Sequence, residues 1–129
     1  MHMLHHISFG VTDLGVMATF YDAVLEPLGF VRVWDSDWSV GYGIPGGGDK
    51  FALKRVEGAR TPGAGFHLAF SAPSHDAIHR FHEAAMKHGG IDNGAPGMRP
   101  DYGPHYCAAF VVDPEGHRIE AVLNAPQQP

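Results

Sequence analysis

The strongest constraint on this chain is that it repeats itself. His6-Ile7-Ser8-Phe9-Gly10-Val11 superposes on His67-Leu68-Ala69-Phe70-Ser71-Ala72, histidine on histidine, aliphatic on aliphatic and phenylalanine on phenylalanine. Without a gap, Phe20 then falls on Phe81, Asp22 on Glu83, Ala23 on Ala84 and Gly29 on Gly90. In a repeat of this kind each unit is one supersecondary structure that buries its apolar face against its neighbour. At 129 residues the chain is too short for two independent cores, so the two units are expected to share one.

Hydrophobic periodicity assigns the elements of each unit. Leu4 to Val11 alternates as a strand, with Ile7, Phe9 and Val11 on one face and His6, Ser8 and Gly10 on the other. Thr12 or Asp13 caps a helix to about Leu28, whose apolar face is Leu14, Met17, Tyr21, Val24 and Leu28, and Gly29 ends it. Strands follow at Phe30–Trp34, Trp38–Ile44 and, after the turn at Pro45-Gly46-Gly47-Gly48-Asp49, Lys50–Val56. Module one, about residues 1–57, is therefore βαβββ.

Residues 58–65 are too rich in glycine and proline to form an element and serve as a linker. Module two, 66–124, begins with a strand from Phe66 to about Ala72. Ser74 then caps a helix to about His88, buried through Ile78, Phe81 and Ala85 and stopped by Gly89-Gly90. A weakly signalled strand near Asn93–Arg99 precedes a hairpin of Tyr106–Val112 and Arg118–Leu123 across Asp113-Pro114-Glu115-Gly116. Residues 125–129 form a polar, proline-containing tail. The fold class is α+β, built as two tandem βαβββ modules in a single domain.

A net charge of −5 and no stripe of Lys or Arg argue against a nucleic-acid backbone as partner and favour a small molecule. No apolar run approaches the length of a membrane span. The single cysteine, Cys107, and the absence of a charged-then-apolar leader point to a reducing cytoplasm. Ten histidines are many for this length, and histidine is the commonest metal ligand.

Alternation selects among them. His6 and His67 hold equivalent positions on the non-core faces of equivalent strands, so a pseudo-two-fold axis between the modules would bring them face to face. Ile119, Ala121 and Leu123 are apolar, which turns Glu120 to the opposite face between Arg118 and Val122. A carboxylate in a cup needs a partner, and two neutral imidazoles around a divalent ion would supply one. Two histidines and one carboxylate form a facial triad with open coordination positions. Satisfied histidines and solvated glutamates are also ordinary, and spacing alone leaves that alternative open.

The pattern His6-Ile7-Ser8-Phe9-Gly10-Val11-Thr12-Asp13-Leu14, with Phe20-Tyr21, Leu25-Glu26-Pro27-Leu28-Gly29-Phe30 and Asp113-Pro114-Glu115-Gly116-His117-Arg118-Ile119-Glu120, resembles the vicinal oxygen chelate superfamily. This group includes glyoxalase I, fosfomycin- and bleomycin-resistance proteins and extradiol dioxygenases, and the likeness covers nearly the whole chain. The resemblance implies a cupped mixed sheet with helices outside, holding one divalent metal ion on the first and last strand of each module. Those four positions are His6, Ala52, His67 and Glu120, so three carry a ligand. The missing acid at Ala52 weighs against strict glyoxalase I activity and looks more like the dioxygenases and fosfomycin-resistance enzymes.

The resemblance further implies a homodimer and a metal-dependent lyase, isomerase or ring-cleaving dioxygenase whose metal takes two vicinal oxygens of the substrate. Iron, manganese, zinc, cobalt and nickel all suit such a ligand set. The alternative is a metal-free sequestering protein of the bleomycin-resistance type, with Trp34, Trp38, Tyr42 and Phe51 lining a pocket, although packing is the simpler role for those rings. If the turn Asp113 to Gly116 closes an even-numbered loop, Ala109, Cys107 and His105 share the face of Glu120 while Tyr106, Ala108 and Phe110 enter the core. His105 is then the candidate acid or base; a register one residue different substitutes Tyr106. Cys107 is expected to be a packing residue.

Other signals carry less. Gly41-Tyr42-Gly43-Ile44-Pro45-Gly46 has dinucleotide-binding spacing but leads into a strand rather than a helix. His82-Glu83 begins a zinc-protease motif whose second histidine would fall at Met86. His75, His79 and His82 line one side of a helix and read as a solvated face, and His2 and His5 are sites for adventitious metal.

Overall fold

The computed structural model describes residues 2–126. Its elements follow the repeat: β1 (Ile7–Val11), α1 (Leu14–Leu25) continued by a 3₁₀ turn (Glu26–Leu28), β2 (Val31–Asp35), β3 (Ser39–Gly43) and β4 (Phe51–Arg55). Then come β5 (Leu68–Ser71), α2 (His75–Lys87), β6 (Ile91–Met98), β7 (Tyr106–Val112) and β8 (Arg118–Asn124). Both helices start where a short polar side chain satisfies a free amide: Asp13 accepts from the Val16 N–H and Ser74 from the Ala77 N–H. The first ends at Gly29, whose φ of 94° is a left-handed cap that a β-carbon would disfavour. Among the described residues no helix is long and apolar enough to cross a membrane.

The strands form two four-stranded sheets, ordered β1-β4-β3-β2 and β5-β8-β7-β6. In each sheet the first and last strands of the module pair parallel and the others antiparallel, so both sheets are mixed. The repeat persists at single-residue resolution. Ser8 lies opposite Ala52 in one sheet and Ala69 opposite Glu120 in the other, which makes Ala52 the structural counterpart of Glu120.

Alternation sends Phe9, Val11, Val40, Tyr42, Phe51 and Leu53 to one face of the first sheet, beneath Met17, Phe20, Tyr21 and Val24 of α1. In the second sheet Cys107, Ala109, Val111, Ile119 and Ala121 do the same beneath Ile78, Phe81 and Ala85 of α2. These side chains form one core, as the chain length requires. Phe51 meets Phe70 edge-on at 5.2 Å, and α1 packs on α2.

A polar latch crosses the same junction. Asp113, 1% exposed, accepts from the Tyr21 hydroxyl at 2.7 Å, from His117 Nδ1 at 2.8 Å, and from the backbone N–H groups of Glu115 and His117. The His117 ring stacks flat on Phe9 with centroids 4.3 Å apart. The Glu115 carboxylate accepts from the N–H groups of Thr12 and Asp13. Because the modules are joined through their core faces, the opposite faces look away from the shared core: Ser8 and Ala52 on one sheet, Tyr106 and Glu120 on the other.

The hairpin between β7 and β8 corrects the expected register. Asp113 and His117 close the loop through an Asp113 N–H to His117 carbonyl bond, with Pro114, Glu115 and Gly116 between them. Gly116 adopts φ 104°, the extra left-handed residue that follows a type I turn and makes the loop odd-numbered. Phe110 therefore stands opposite Glu120, and Tyr106, Ala108 and Phe110 share its face. Cys107 and Ala109 go to the core, where the even-numbered loop would have placed Tyr106 and Ala108.

Candidate metal centre

The outer face of the second sheet holds a buried carboxylate. Glu120 is at the centre of β8, and its side chain is only 2% exposed. His67 Nε2 lies 3.0 Å from its Oε1, and the Tyr106 hydroxyl donates to its Oε2 at 2.5 Å. Among the described residues no Lys or Arg pairs with this carboxylate. Burial, reinforced by the hydrogen bond to Glu120 and its charge, pushes the Tyr106 hydroxyl up to about 12, so at neutral pH it is a protonated donor.

His67 is delivered by the linker. Gly65, at φ 97°, turns the chain so that Phe66 packs against Phe9 while the next side chain, His67, projects outward. Its side chain is 57% exposed, which leaves room beside the imidazole. An open pocket of about 520 Å³ surrounds the pair, walled by Phe66, Tyr102, Tyr106 and Phe110, with Arg118 at its edge.

The other predicted residues lie elsewhere. His6 is exposed ahead of β1, with its Nδ1 2.8 Å from Nδ1 of His5. Among the described residues no three His, Cys, Asp or Glu side chains converge. Within one chain His6 therefore does not join His67 and Glu120 in a three-residue cluster, which leaves open a meeting across two chains. His105 is exposed in the segment before β7 and does not line the pocket; the odd-numbered turn puts Tyr106 there instead. Cys107 is a core residue, and burial raises its thiol pKa.

The four aromatic residues considered for a stacking pocket separate likewise. Tyr42 and Phe51 are buried in the core, whereas Trp34 and Trp38 are exposed on the first sheet. The Trp34 indole lies over Gly41, where a β-carbon would collide with the ring. On α2, His82 pairs with Asp92 at 2.8 Å. Tyr106 was detectable in the sequence: Asp-Pro-Glu-Gly is a type I turn signature with glycine in the left-handed position, and it implies the odd loop.

Two mixed sheets built from one repeated βαβββ unit, with a histidine–carboxylate pair on an outer face, define a glyoxalase-type fold. The family model of the Glyoxalase/Bleomycin resistance protein/Dioxygenase superfamily matches residues 3–121, and the chain belongs to that superfamily. Among solved structures it is similar to a glyoxalase/bleomycin resistance protein from Albidiferax ferrireducens T118. The two are 31% identical, with a TM-score of 0.80 over 94% of this chain and 98% of that one. Its fold also matches a glyoxalase-related enzyme from Fulvimarina pelagi, 22% identical with a TM-score of 0.70 over 96% and 89% of the two chains. The fosfomycin resistance protein FosX from Mesorhizobium loti, 20% identical, matches with a TM-score of 0.68 over 97% and 94%. No curated protein matches the chain.

Proposed function

We propose that the protein is a metal-dependent enzyme acting on a small substrate through two neighbouring oxygens. The divalent ion would be held by His67 and Glu120 of one chain and by His6 of a second copy in a homodimer. The observation that carries this is the Glu120–His67 pair: a carboxyl group removed from water, 3.0 Å from an imidazole nitrogen and with no Lys or Arg beside it among the described residues. A buried carboxylate is costly even when it is hydrogen-bonded, and a divalent ion held by these two side chains would offset that cost. Ala52 offers no ligand at the fourth position, so the protein would supply three donors and leave open sites.

When bound, the ion would act as a Lewis acid on the substrate oxygens. The chain's own residues set the conditions for that chemistry. Tyr106 holds Glu120 by its second oxygen and fixes the direction of the first, a positioning role. Phe66, Tyr102 and Phe110 line the pocket, and the exposed edge of His67 would admit substrate. His105 lies off this face, in the exposed segment before β7, away from the atoms that would react.

Elemental analysis of the untagged protein tests the proposal, beside His67→Ala and Glu120→Ala. One ion per chain, lost in both variants, is the expected result. Iron would direct the search for substrate toward ring cleavage, and zinc or nickel toward isomerisation or a lyase reaction. Wild-type protein that neither contains metal nor takes it up on titration would overturn the enzyme and leave a sequestering protein.

A further inference from the structure

Arg118 is placed to recognise a substrate. It starts β8 and lies two residues before Glu120, so the two side chains leave the same face of the strand, with their Cα atoms roughly 7 Å apart. It is exposed at the edge of the pocket that contains His67 and Glu120. Among the described residues its guanidinium forms no salt bridge and donates no hydrogen bond. Arg32 is paired with Asp22 at 2.7 Å and Asp35 at 3.2 Å, Arg80 with Asp76 at 3.9 Å, and Arg99 donates to the Ala95 carbonyl at 2.6 Å; of the arginines without such a partner among the described residues, Arg118 is the one that lines this pocket.

Four aromatic side chains, Phe66, Tyr102, Tyr106 and Phe110, line the pocket, with Asn93 as a further polar residue. Tyr102 and Tyr106 meet edge-on at 5.2 Å, and Phe110 lies edge-on to His67 at 6.4 Å. Arg99 sits 5.4 Å over the Phe110 ring and holds it in place. Aromatic walls favour a flat apolar body, and a guanidinium fork matches a carboxylate in two parallel hydrogen bonds. Arg118 is the only Lys or Arg among the described residues that line the pocket, so the acid is placed at Arg118, the ring against the aromatic side chains, and the remainder, with its two neighbouring oxygens, toward His67.

Resting on the reading of this pocket as the substrate site, we propose that Arg118 determines specificity for a small planar acid, binding its carboxylate while the aromatic wall takes its ring. The probes are benzoate and its neutral isostere benzamide, titrated into the full-length chain after dialysis against a chelator, so that no bound ion can take the carboxylate. Binding is followed by the backbone amide NMR shifts of Tyr106, Arg118 and Glu120.

Benzoate should bind about 10-fold tighter than benzamide, equivalent to about 1.4 kcal/mol. Arg118→Gln should abolish that preference while leaving benzamide affinity unchanged, and Arg118→Lys should retain part of it. Equal affinities in the wild type, a preference that survives Arg118→Gln, or no saturable binding of benzoate would each overturn the inference. Metal content is read separately on the same preparations before dialysis. Its absence would sink the metal reading, while the benzoate preference would still stand or fall on its own.

Discussion

Substituting Tyr21 by Phe removes one hydroxyl from the junction between the modules and changes nothing else in shape. That hydroxyl donates to Asp113 at 2.7 Å, and both residues are buried. Burial, and then the charge of Asp113, raise the Tyr21 pKa well above its ordinary value, so the group is a donor throughout the physiological range. A hydrogen bond to a charged group contributes about 1.5–3 kcal/mol. Asp113 keeps three other donors, from His117 Nδ1 and the backbone N–H groups of Glu115 and His117, so it is weakened rather than stranded. The expected loss is therefore about 2 kcal/mol.

Urea unfolding monitored by tryptophan fluorescence and far-ultraviolet circular dichroism gives that figure directly. Asp113→Ala orphans all four donors at once and should cost about 3–5 kcal/mol. Once Asp113 is gone the Tyr21 hydroxyl has lost its acceptor, so adding Tyr21→Phe should cost little more. A double-mutant cycle should thus show coupling of about 1–2 kcal/mol. A loss below about 0.5 kcal/mol for Tyr21→Phe, or strict additivity, would refute the latch as the element that fixes the modules together.

Tyr106→Phe should leave the fold intact but weaken metal binding by about 10–100-fold, the usual effect of losing the partner that orients a ligand; competition with a chromogenic chelator measures it. Alkaline stability follows from Tyr21, Tyr42 and Tyr106, whose pKa values are all raised, chiefly by burial. A raised folded pKa gives stability that is complete below the unfolded value of about 10 and is lost as pH rises through the folded value, about 12 for Tyr106. Urea unfolding should therefore grow easier above about pH 10, and Tyr21→Phe should lessen the fall by about 1.4 kcal/mol per pH unit. Gly43→Ala should cost about 2–3 kcal/mol in thermal or urea denaturation, since a β-carbon there would collide with the Gly48 carbonyl oxygen and that contact is backbone.

Much of this molecule was legible in its sequence because alternation and capping are local. The repeat, both βαβββ units and the helix caps at Thr12 or Asp13 and at Ser74 follow from such patterns, while the equivalence of Ala52 with Glu120 comes from the family resemblance. Alternation also anticipates the adjacency of His67 and Glu120, which the parallel pairing of β5 with β8 delivers. Two features lie beyond local pattern. The register of β7 turned on one residue, Gly116, whose left-handed conformation changes the parity of the loop and exchanges His105 for Tyr106. The separation of His6 from His67 depends on how the modules pack, which is fixed by Tyr21, Asp113, Glu115 and His117 acting across the junction. Those residues are distant in sequence and belong to no periodic pattern.

The central claim is that the site is completed by a second copy, and complementation tests it most directly. His6→Ala and His67→Ala protein, each expected to be metal-free, are mixed, unfolded, refolded together and analysed for metal. In a mixed dimer one site loses both contributions, but the other has His6 from one chain and His67 with Glu120 from its partner. Random pairing should therefore restore about one ion per four chains. No metal in the mixture, with wild-type protein refolded alongside fully loaded, would contradict the shared site.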